Sequence, residues 1–516
     1  MNKSKKEVFD QFIEAVGHPF DGHKLFFVDG PGGTGKSFLL EQYLAHVCFH
    51  KKVAIAVASS GIAATLLTGG HTAHSTFRIP LPWQSQEAEL IRNASLISWD
   101  EALMMHRASF EAVNRCFCDI IKYELEQFGG KVMVFSGDHR QILPVLKDAT
   151  RAETLEAFFK SSPLWNHLQK VRPTENMRVR TAPDPASAAE LAEFSAFLLQ
   201  IGEGRYPVNS DISENDICLP HDMCIIPEER GHYRWDEEEH KESEDMEAPP
   251  NFNLLPAIEA PLEVDNTNPD DDCRERNVNA LIGALYPEVD DNNIQDEYFV
   301  DRAILVPTNA SVRRINEMVA DCGPSNGRNK GLPVSRSLEG VADPNVFEEA
   351  FLKSLNFSGI PLHKIALKVR TPIIMIRNFN SDAGLCYETR LPVVSLRERS
   401  IEATIMSGTF KEKTVCIWHI GFYSGFDDIE FPFKLRWKQF PVVPAFVMTI
   451  YKDPGQPIHH VGIYLKSPVF AHGQLYVALS RMTSRKVIKI AVDPSSIDEN
   501  RNIHTKNIVF REVFEL

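Results

Sequence analysis

Apolar residues in the first part of this chain fall into short unbroken runs, each followed by a stretch whose polar and apolar positions suit one face of a helix. Buried parallel strands crossed by helices give that alternation. Lys24–Val28 predicts a buried strand and Ser37 to about Cys48 a helix. A strand over Val53–Val57, a helix after Gly61, a strand over Leu96–Trp99, a long helix near Phe110–Phe128 and a strand over Val132–Phe135 complete one α/β unit. The pattern resumes with a strand over Ala303–Val306 and a helix over Val312–Val319. It closes with Val461–Leu465, a helix near Gln474–Leu479 and a strand over Lys486–Val492. Residues 360–440 instead carry β-branched and aromatic runs broken by Pro and Gly, which predict a small β-rich module. There is no internal repeat.

A length of 516 residues, 43% hydrophobic and 24% charged, exceeds what one core supports, so two large domains with smaller insertions are expected. No stretch approaches the ~20 uninterrupted apolar residues that cross a bilayer, and the opening MNKSKKEVFDQF lacks a signal peptide's apolar run. The expectation is an intracellular protein with no membrane anchor. The nine cysteines are scattered: neither Cys116 with Cys118 nor Cys218 with Cys224 has a second pair at zinc-ribbon spacing, and His71 and His74 have no further ligand cluster nearby. Reduced thiols and no structural zinc follow.

The net charge of −15 argues against retention on nucleic acid by bulk positive potential. Much of that acidity lies in residues 226–250 and 263–275, which read as a solvated, partly disordered insertion. The remainder is nearer neutral, which leaves room for a local basic groove.

Gly30-Pro31-Gly32-Gly33-Thr34-Gly35-Lys36-Ser37 follows a strand and opens a helix, the context of a phosphate-binding loop. Its glycines, Gly30, Gly32, Gly33 and Gly35, with Thr34, let backbone N–H groups approach phosphates. The helix N-terminus adds a favourable dipole, Lys36 neutralises β- and γ-phosphate charge, and the Ser37 hydroxyl suits Mg²⁺. The Leu96–Trp99 strand delivers Asp100 and Glu101, Asp100 to hold Mg²⁺ through water and Glu101 to act as general base on the attacking water. ATP and Mg²⁺ are the implied cofactors. A kinase or GTPase could share both motifs, but the Asn-Lys-x-Asp guanine reader is absent.

Further segments resemble the petite-integration-frequency helicases, ATP-dependent DNA helicases of superfamily 1B, most closely their branch in Helitron rolling-circle transposons. Val134–Val145 is similar to the third motif, whose Gln, here Gln141, senses the γ-phosphate. Thr174-Glu175-Asn176-Met177-Arg178 is similar to the fourth, whose Arg178 reaches the nucleotide from the second domain. Ala471–Arg481 looks like the sixth, with Arg481 as arginine finger. Ser59–Ala64 with Gly70–Phe77 resembles a segment lying along single-stranded DNA, and Pro307-Thr308-Asn309 a strand-contacting turn. Gly359–Lys364 with Arg377 and Asn378 resembles an SH3-like insertion. The resemblance implies an α/β fold of two RecA-like P-loop domains with that insertion in the second. The expected division is 1–172, 173–345 with an acidic insertion at about 226–275, 346–440 for the SH3-like part, and 441–516 for the rest of the second domain.

The function so implied is ATP-dependent 5′-to-3′ translocation on single-stranded DNA and opening of duplex junctions, in DNA repair, recombination, telomere maintenance or Helitron transposition. The nucleus is the expected compartment, with the mitochondrion as alternative. Strand contacts fall on His74, Ser75, Phe77, Thr308, Asn309, Lys452 and Gln456, and the run Phe433–Lys438 interleaves aromatics with cations. The chain departs from the family at four places. Lys5 stands where a Gln reads adenine, and Phe77–Asp100 is short, so a reduced wedge element is expected. Tyr387-Glu388 replaces an Asn-Gly hairpin turn and poorly suits positive φ. Tyr451–Pro457 keeps Lys452, Gly455 and Gln456 of the fifth motif but adds Asp453, Pro454 and Pro457, losing amide donors and gaining repulsion of phosphate. The alternative function is a decayed transposon-derived helicase that binds ATP and unwinds poorly. With no nuclease or replication-initiator motif in the sequence, a replication-initiator or transposase partner would lie on another chain or be absent.

Overall fold

In the computed structural model, the described residues are 3–18, 22–79, 85–146, 149–173, 175–225, 269–287, 298–299, 301–322, 330–332, 335–339, 361, 365–380, 383–406, 410–423, 434–452 and 458–515. The first unit is built on a six-stranded parallel sheet. Its strands are β1 (Leu25–Asp29), β2 (Val53–Ala58), β3 (His71–Thr72), β4 (Ala94–Asp100), β5 (Val132–Gly137) and β6 (Gln169–Val171), in the spatial order β3-β2-β4-β5-β1-β6. Every position of β1 and of β5 is buried, as a strand covered on both faces requires. The helices Lys3–Gly17 and Lys36–Phe49 cover one face through Phe12, Leu39, Leu40 and Tyr43. The other face is packed by aromatics: Trp99, Phe110, Phe117, Phe128, Phe135 and Phe159.

A second parallel sheet runs in the order Val447–Thr449, Arg302–Val306, His460–Leu465 and Ile488–Val492. The helices Pro269–Leu285 and Val312–Cys322 pack on one face, and Pro185–Gly202 with Gln474–Ser480 on the other. Inserted between its strands lies an antiparallel five-stranded sheet, from Thr414–Trp418 through Ser400–Thr404, Arg390–Leu396 and Pro372–Met375 to Val442–Pro444. The fold is thus α/β, two RecA-like units with a small β-rich insertion in the second.

Several elements differ from expectation. The helix expected to reach Phe128 ends at Ile121, because Lys122 turns left-handed (φ 61°) and Cys118 O accepts its N–H, while Phe128 sits in a separate 3₁₀ turn. The helix Pro269–Leu285 begins inside the stretch expected to be solvated, and its later residues Val278, Leu281 and Ile282 are core. Of the interleaved run, Lys434–Gln439 forms the middle of a three-stranded sheet between Ser335–Glu339 and Ile420–Tyr423, while Phe433 lies outside the described residues. Finally, the chain's end returns to the first unit. Val513 joins its aromatic core, and Arg151 pairs with Glu512 at 2.6 Å.

Candidate nucleotide site and strand contacts

The phosphate loop leaves the buried end of β1 and enters the helix Lys36–Phe49 through Gly35, which is left-handed at φ 76°, as is Gly33 at φ 88°. A side chain at either position would be strained. Within the loop the Lys36 ammonium, 8% exposed, donates to Gly30 O, and Thr34 Oγ1 donates to Pro31 O at 2.9 Å. Ser37 is half-buried in the helix's first turn.

Two strands away in the sheet, β4 ends on Asp100, whose Oδ1 accepts from the Ser136 hydroxyl and from the Glu101 N–H at 2.9 Å. Among the described residues, Asp100 Oδ2 accepts nothing. Glu101 takes the left-handed region (φ 50°, ψ 38°), a conformation uncommon for a non-glycine residue and concentrated at functional sites. Burial raises its carboxyl to about 7, with the Asp100 charge adding to the rise, while Lys36 and Arg481 pull the other way. Arg481 follows the helix Gln474–Ser480 of the second unit, so its charge reaches Glu101 across the cleft between the sheets.

The two units meet around the cleft in three further ways. Met177 N–H donates to Gly33 O at 2.9 Å, and a Cβ built on Gly33 would stand 3.3 Å from Arg178 Cδ, so the turn bearing Arg178 rests on the phosphate loop. Gly473 of the second unit lies against the Arg140–Gln141 backbone; a Cβ there would be 2.2 Å from Arg140 O, so only glycine allows the approach. The third contact was not anticipated from sequence. The Tyr476 hydroxyl, deeply buried, donates to Asp138 Oδ2 at 2.8 Å and takes the N–H of Gly32. One phenol thereby ties the phosphate loop, the loop after β5 and the second unit's helix together. Beside it, His472 Nε2–H donates to His139 O and its Nδ1 accepts the Phe510 N–H, both at 2.9 Å, and burial pushes this imidazole down to about 4. Gln141 is half-buried, its backbone N–H donating to Asp138 O at 3.0 Å. Lys36, Asp100, Glu101, Gln141, Arg178 and Arg481 therefore surround one cleft, and Thr174 lies outside the described residues.

The strand-contact candidates are spread out. His74 and Ser75 are exposed on a single helical turn capped by Thr72, and Asn309 is exposed after the strand Arg302–Val306, with Thr308 half-buried beside it. Phe77 is a correction: it is fully buried, 5.2 Å from the Trp99 ring and 5.5 Å from Phe117, so its face is not available to a base. Ala73 and Phe77, four apart and both at 0% exposure, face the core together, a spacing that could have shown this. Lys452 is half-buried near Glu388, and Gln456, with Asp453, Pro454, Gly455 and Pro457, lies outside the described residues. The Tyr387-Glu388 turn needs one positive φ, which Glu388 supplies at 70°, and Thr389 N–H closes it on Cys386 O at 3.1 Å. The helix Ser85–Asn93 occupies the short interval after Phe77. Lys5, 2% exposed, reaches the phosphate loop: a Cβ on Gly35 would stand 2.5 Å from its Nζ.

Comparison with known proteins agrees with this arrangement. Residues 1–211 match the family described as PIF1-like helicase, and residues 350–396 match the DNA helicase Pif1 2B domain, between them half of the chain. The chain belongs to the PIF1-like helicase family. An ATP-dependent DNA helicase Pif1 of Campylobacter jejuni is 23% identical over 495 residues, covering 90% of this chain and 88% of that protein. Among solved structures, the Pif1 helicase of Candida albicans superposes with a TM-score of 0.59 at 18% identity, over 100% of this chain and 98% of that one. Pif1 helicase from Bacteroides in complex with ADP-AlF3 and single-stranded DNA gives 0.56 at 20% identity, over 94% and 92%. At such identities these two structures establish the shared RecA-like fold. No helix among the described residues of this PIF1-like chain is long and apolar enough to cross a membrane.

Proposed function

We propose that this chain hydrolyses ATP and couples each cycle to movement along single-stranded DNA, 5′ to 3′, opening duplex at junctions. The observation that carries the reading is the shared cleft: Glu101 from the first unit is under the charge of Arg481 from the second, with the Arg178 turn lying on the phosphate loop. Arginine charge supplied across a cleft makes closure depend on nucleotide, and release after hydrolysis reopens it.

On nucleotide binding Lys36 exchanges Gly30 O for the phosphates, and Gly32, Gly33 and Gly35 present backbone to them. Glu101, held near 7, can take a proton from the attacking water at neutral pH. Ser37 and the open Oδ2 of Asp100 are hard oxygen donors of the kind Mg²⁺ takes, and the ion would supply charge neutralisation between β- and γ-phosphate oxygens. Gln141, on the backbone packed against Gly473, would pass the state of the γ-phosphate to the second unit. The relative crystallised with ADP-AlF3 and single-stranded DNA supports ATP and a single strand as partners here as well. His74, Ser75, Thr308, Asn309 and Lys452 would take the strand. The motif likeness is what supports Helitron membership, a partner initiator or transposase, the genome-maintenance roles and the nuclear or mitochondrial location.

The test is ATP hydrolysis with and without single-stranded DNA, beside strand displacement on duplexes carrying a 5′ or a 3′ tail. Stimulation by the strand and opening of the 5′-tailed duplex alone are expected. Hydrolysis indifferent to DNA, with neither duplex opened, would overturn the reading.

A further inference from the structure

Behind the phosphate loop, between the two units, lies a cavity of about 940 Å³, within the range of small-ligand sites. Its walls are unlike those of the nucleotide cleft. Lys36, Asp100, Glu101, Arg178 and Arg481 take no part in it; one wall is the entering leg of the loop, Asp29–Pro31, and the facing wall is the segment 203–208 after the helix Pro185–Gly202. Among the described residues, five cations line it, Arg140, Lys160, Arg172, Arg205 and Arg511, against two carboxylates in the wall, Asp29 and Glu203, with Asp138 pairing Arg140 from behind it at 3.1 Å.

Those two carboxylates are already divided. Asp29 is shared between His139 at 2.9 Å and Arg172 at 3.1 Å, and Glu203 between Arg140 and Arg205. Lys160 donates to the carbonyls of Val513 and Glu515, and Arg511 to Gly204 O, which are dipoles rather than countercharges. The buried Nε2 of His139 in the same wall has no hydrogen-bond partner among the described residues. Burial and the neighbouring Arg172 and Lys170 push the Lys160 ammonium down to about 8 even though Asp29 favours its charge. A partly enclosed site in which Lys160 and Arg511 meet carbonyl dipoles in place of carboxylates lowers its energy by admitting a multivalent anion.

We propose that this cavity is a second oxyanion site, taking inorganic phosphate or a phosphate of similar size behind the nucleotide loop. Phosphate could arrive from solution or from the loop itself, which shares Gly30 and Pro31 with the cavity wall. The second source rests on the ATP-hydrolysing reading above; the first does not. Bidentate guanidinium contacts would hold it as they hold phosphate elsewhere, with Arg172 and Arg511 both exposed and, unlike the exposed Arg205, not held on Glu203.

The probe is inorganic phosphate, titrated calorimetrically into the full chain, Lys36→Ala, and the double variant Arg172→Gln with Arg511→Gln. Both arginines are exposed, so the double variant should fold, which thermal melting checks. Lys36→Ala should keep phosphate binding, whereas the double variant should lose roughly tenfold or more in affinity while a fluorescent ADP analogue binds as before. Phosphate binding that vanishes in Lys36→Ala, or persists unchanged in the double variant, overturns the proposal. Single-turnover phosphate release then separates the sources. Slower release in the double variant means hydrolysis fills the site; unchanged release means solution does, and either supports it once direct binding is seen. Should the wild type fail to hydrolyse ATP at all, the titration still decides on the site.

Discussion

Lys36, Asp100 and Asp138 are 8%, 3% and 1% exposed and lie where adjacent strands of one sheet end, whereas His74, Ser75 and Asn309 are exposed on short turns of two different units. In the first region the sheet fixes each side chain: β1, β5 and β4 are neighbours, so the residues after them converge whatever the sequence distance between them. In the second region position comes only from local turns, such as the Thr72 cap on the helical turn of His74. Strand order therefore fixes the place of the candidate nucleotide groups, whereas only local turns fix that of the candidate strand-contact groups. Phe77 shows the cost: it sits two residues from an exposed Ser75 and is entirely core.

The comparison can be broken most sharply at the nucleotide end. Lys36→Ala should lower ATP turnover by on the order of 10³-fold or more, since the Lys36 ammonium is the group the loop holds for the β- and γ-phosphates, and a steady-state assay at wild-type rate would refute the assignment. Glu101→Gln should bind ATP normally and turn over roughly 10²- to 10⁴-fold more slowly. With Glu101 near 7 in the free protein, kcat/KM should fall as pH drops through about 7, and that limb should vanish in the Gln variant.

At the other end, Phe77→Ala should cost about 3–5 kcal/mol of stability, read as a lowered Tm, because it opens a cavity beside Trp99 and Phe117. His74→Ala should leave Tm unchanged and weaken single-strand binding several-fold. Were Phe77→Ala to lose strand affinity at full stability, the buried placement would be wrong.

The contact between the two units is sensitive to acid. His472 is neutral when folded and its pKa is near 4, against about 6.5 unfolded, so between those values the unfolded chain binds the extra proton. Stability should accordingly fall as pH drops from about 6.5 towards 4, by on the order of 3 kcal/mol, and a His472→Gln variant should show a flatter profile in urea titrations across that window. The smallest effect is expected of Tyr476→Phe, which removes only the hydroxyl joining Asp138 and Gly32: about 1–2 kcal/mol of stability, with weaker DNA stimulation of turnover and little change in basal rate. Unaltered stimulation would show that the Tyr476 hydroxyl only holds the fold.

The parallel strands and the phosphate loop were legible because they are local: an apolar run, then glycines, then Lys36. The pairing of Tyr476 with Asp138 was not, because 338 residues separate them and no spacing rule relates them. Nor was the return of Val513 to the first unit, since the chain's end carries no periodic signal beyond a few apolar residues. The helix that stops at Ile121 failed for the opposite reason. Apolar periodicity continues to Phe128, but a left-handed Lys122 breaks the backbone first, a conformation that composition alone does not favour for lysine.

The central claim is that two units close on one nucleotide, and Arg481 tests it most directly, since it belongs to the second unit and acts on Glu101 of the first. Turnover and ATP affinity of Arg481→Ala should be measured together. A fall in kcat of roughly 10³-fold with affinity changed far less is the expected result, as for a charge that stabilises the transition state from across the cleft. Wild-type turnover, with only the Tm lowered, would contradict it and reduce Arg481 to an ion pair holding the units together.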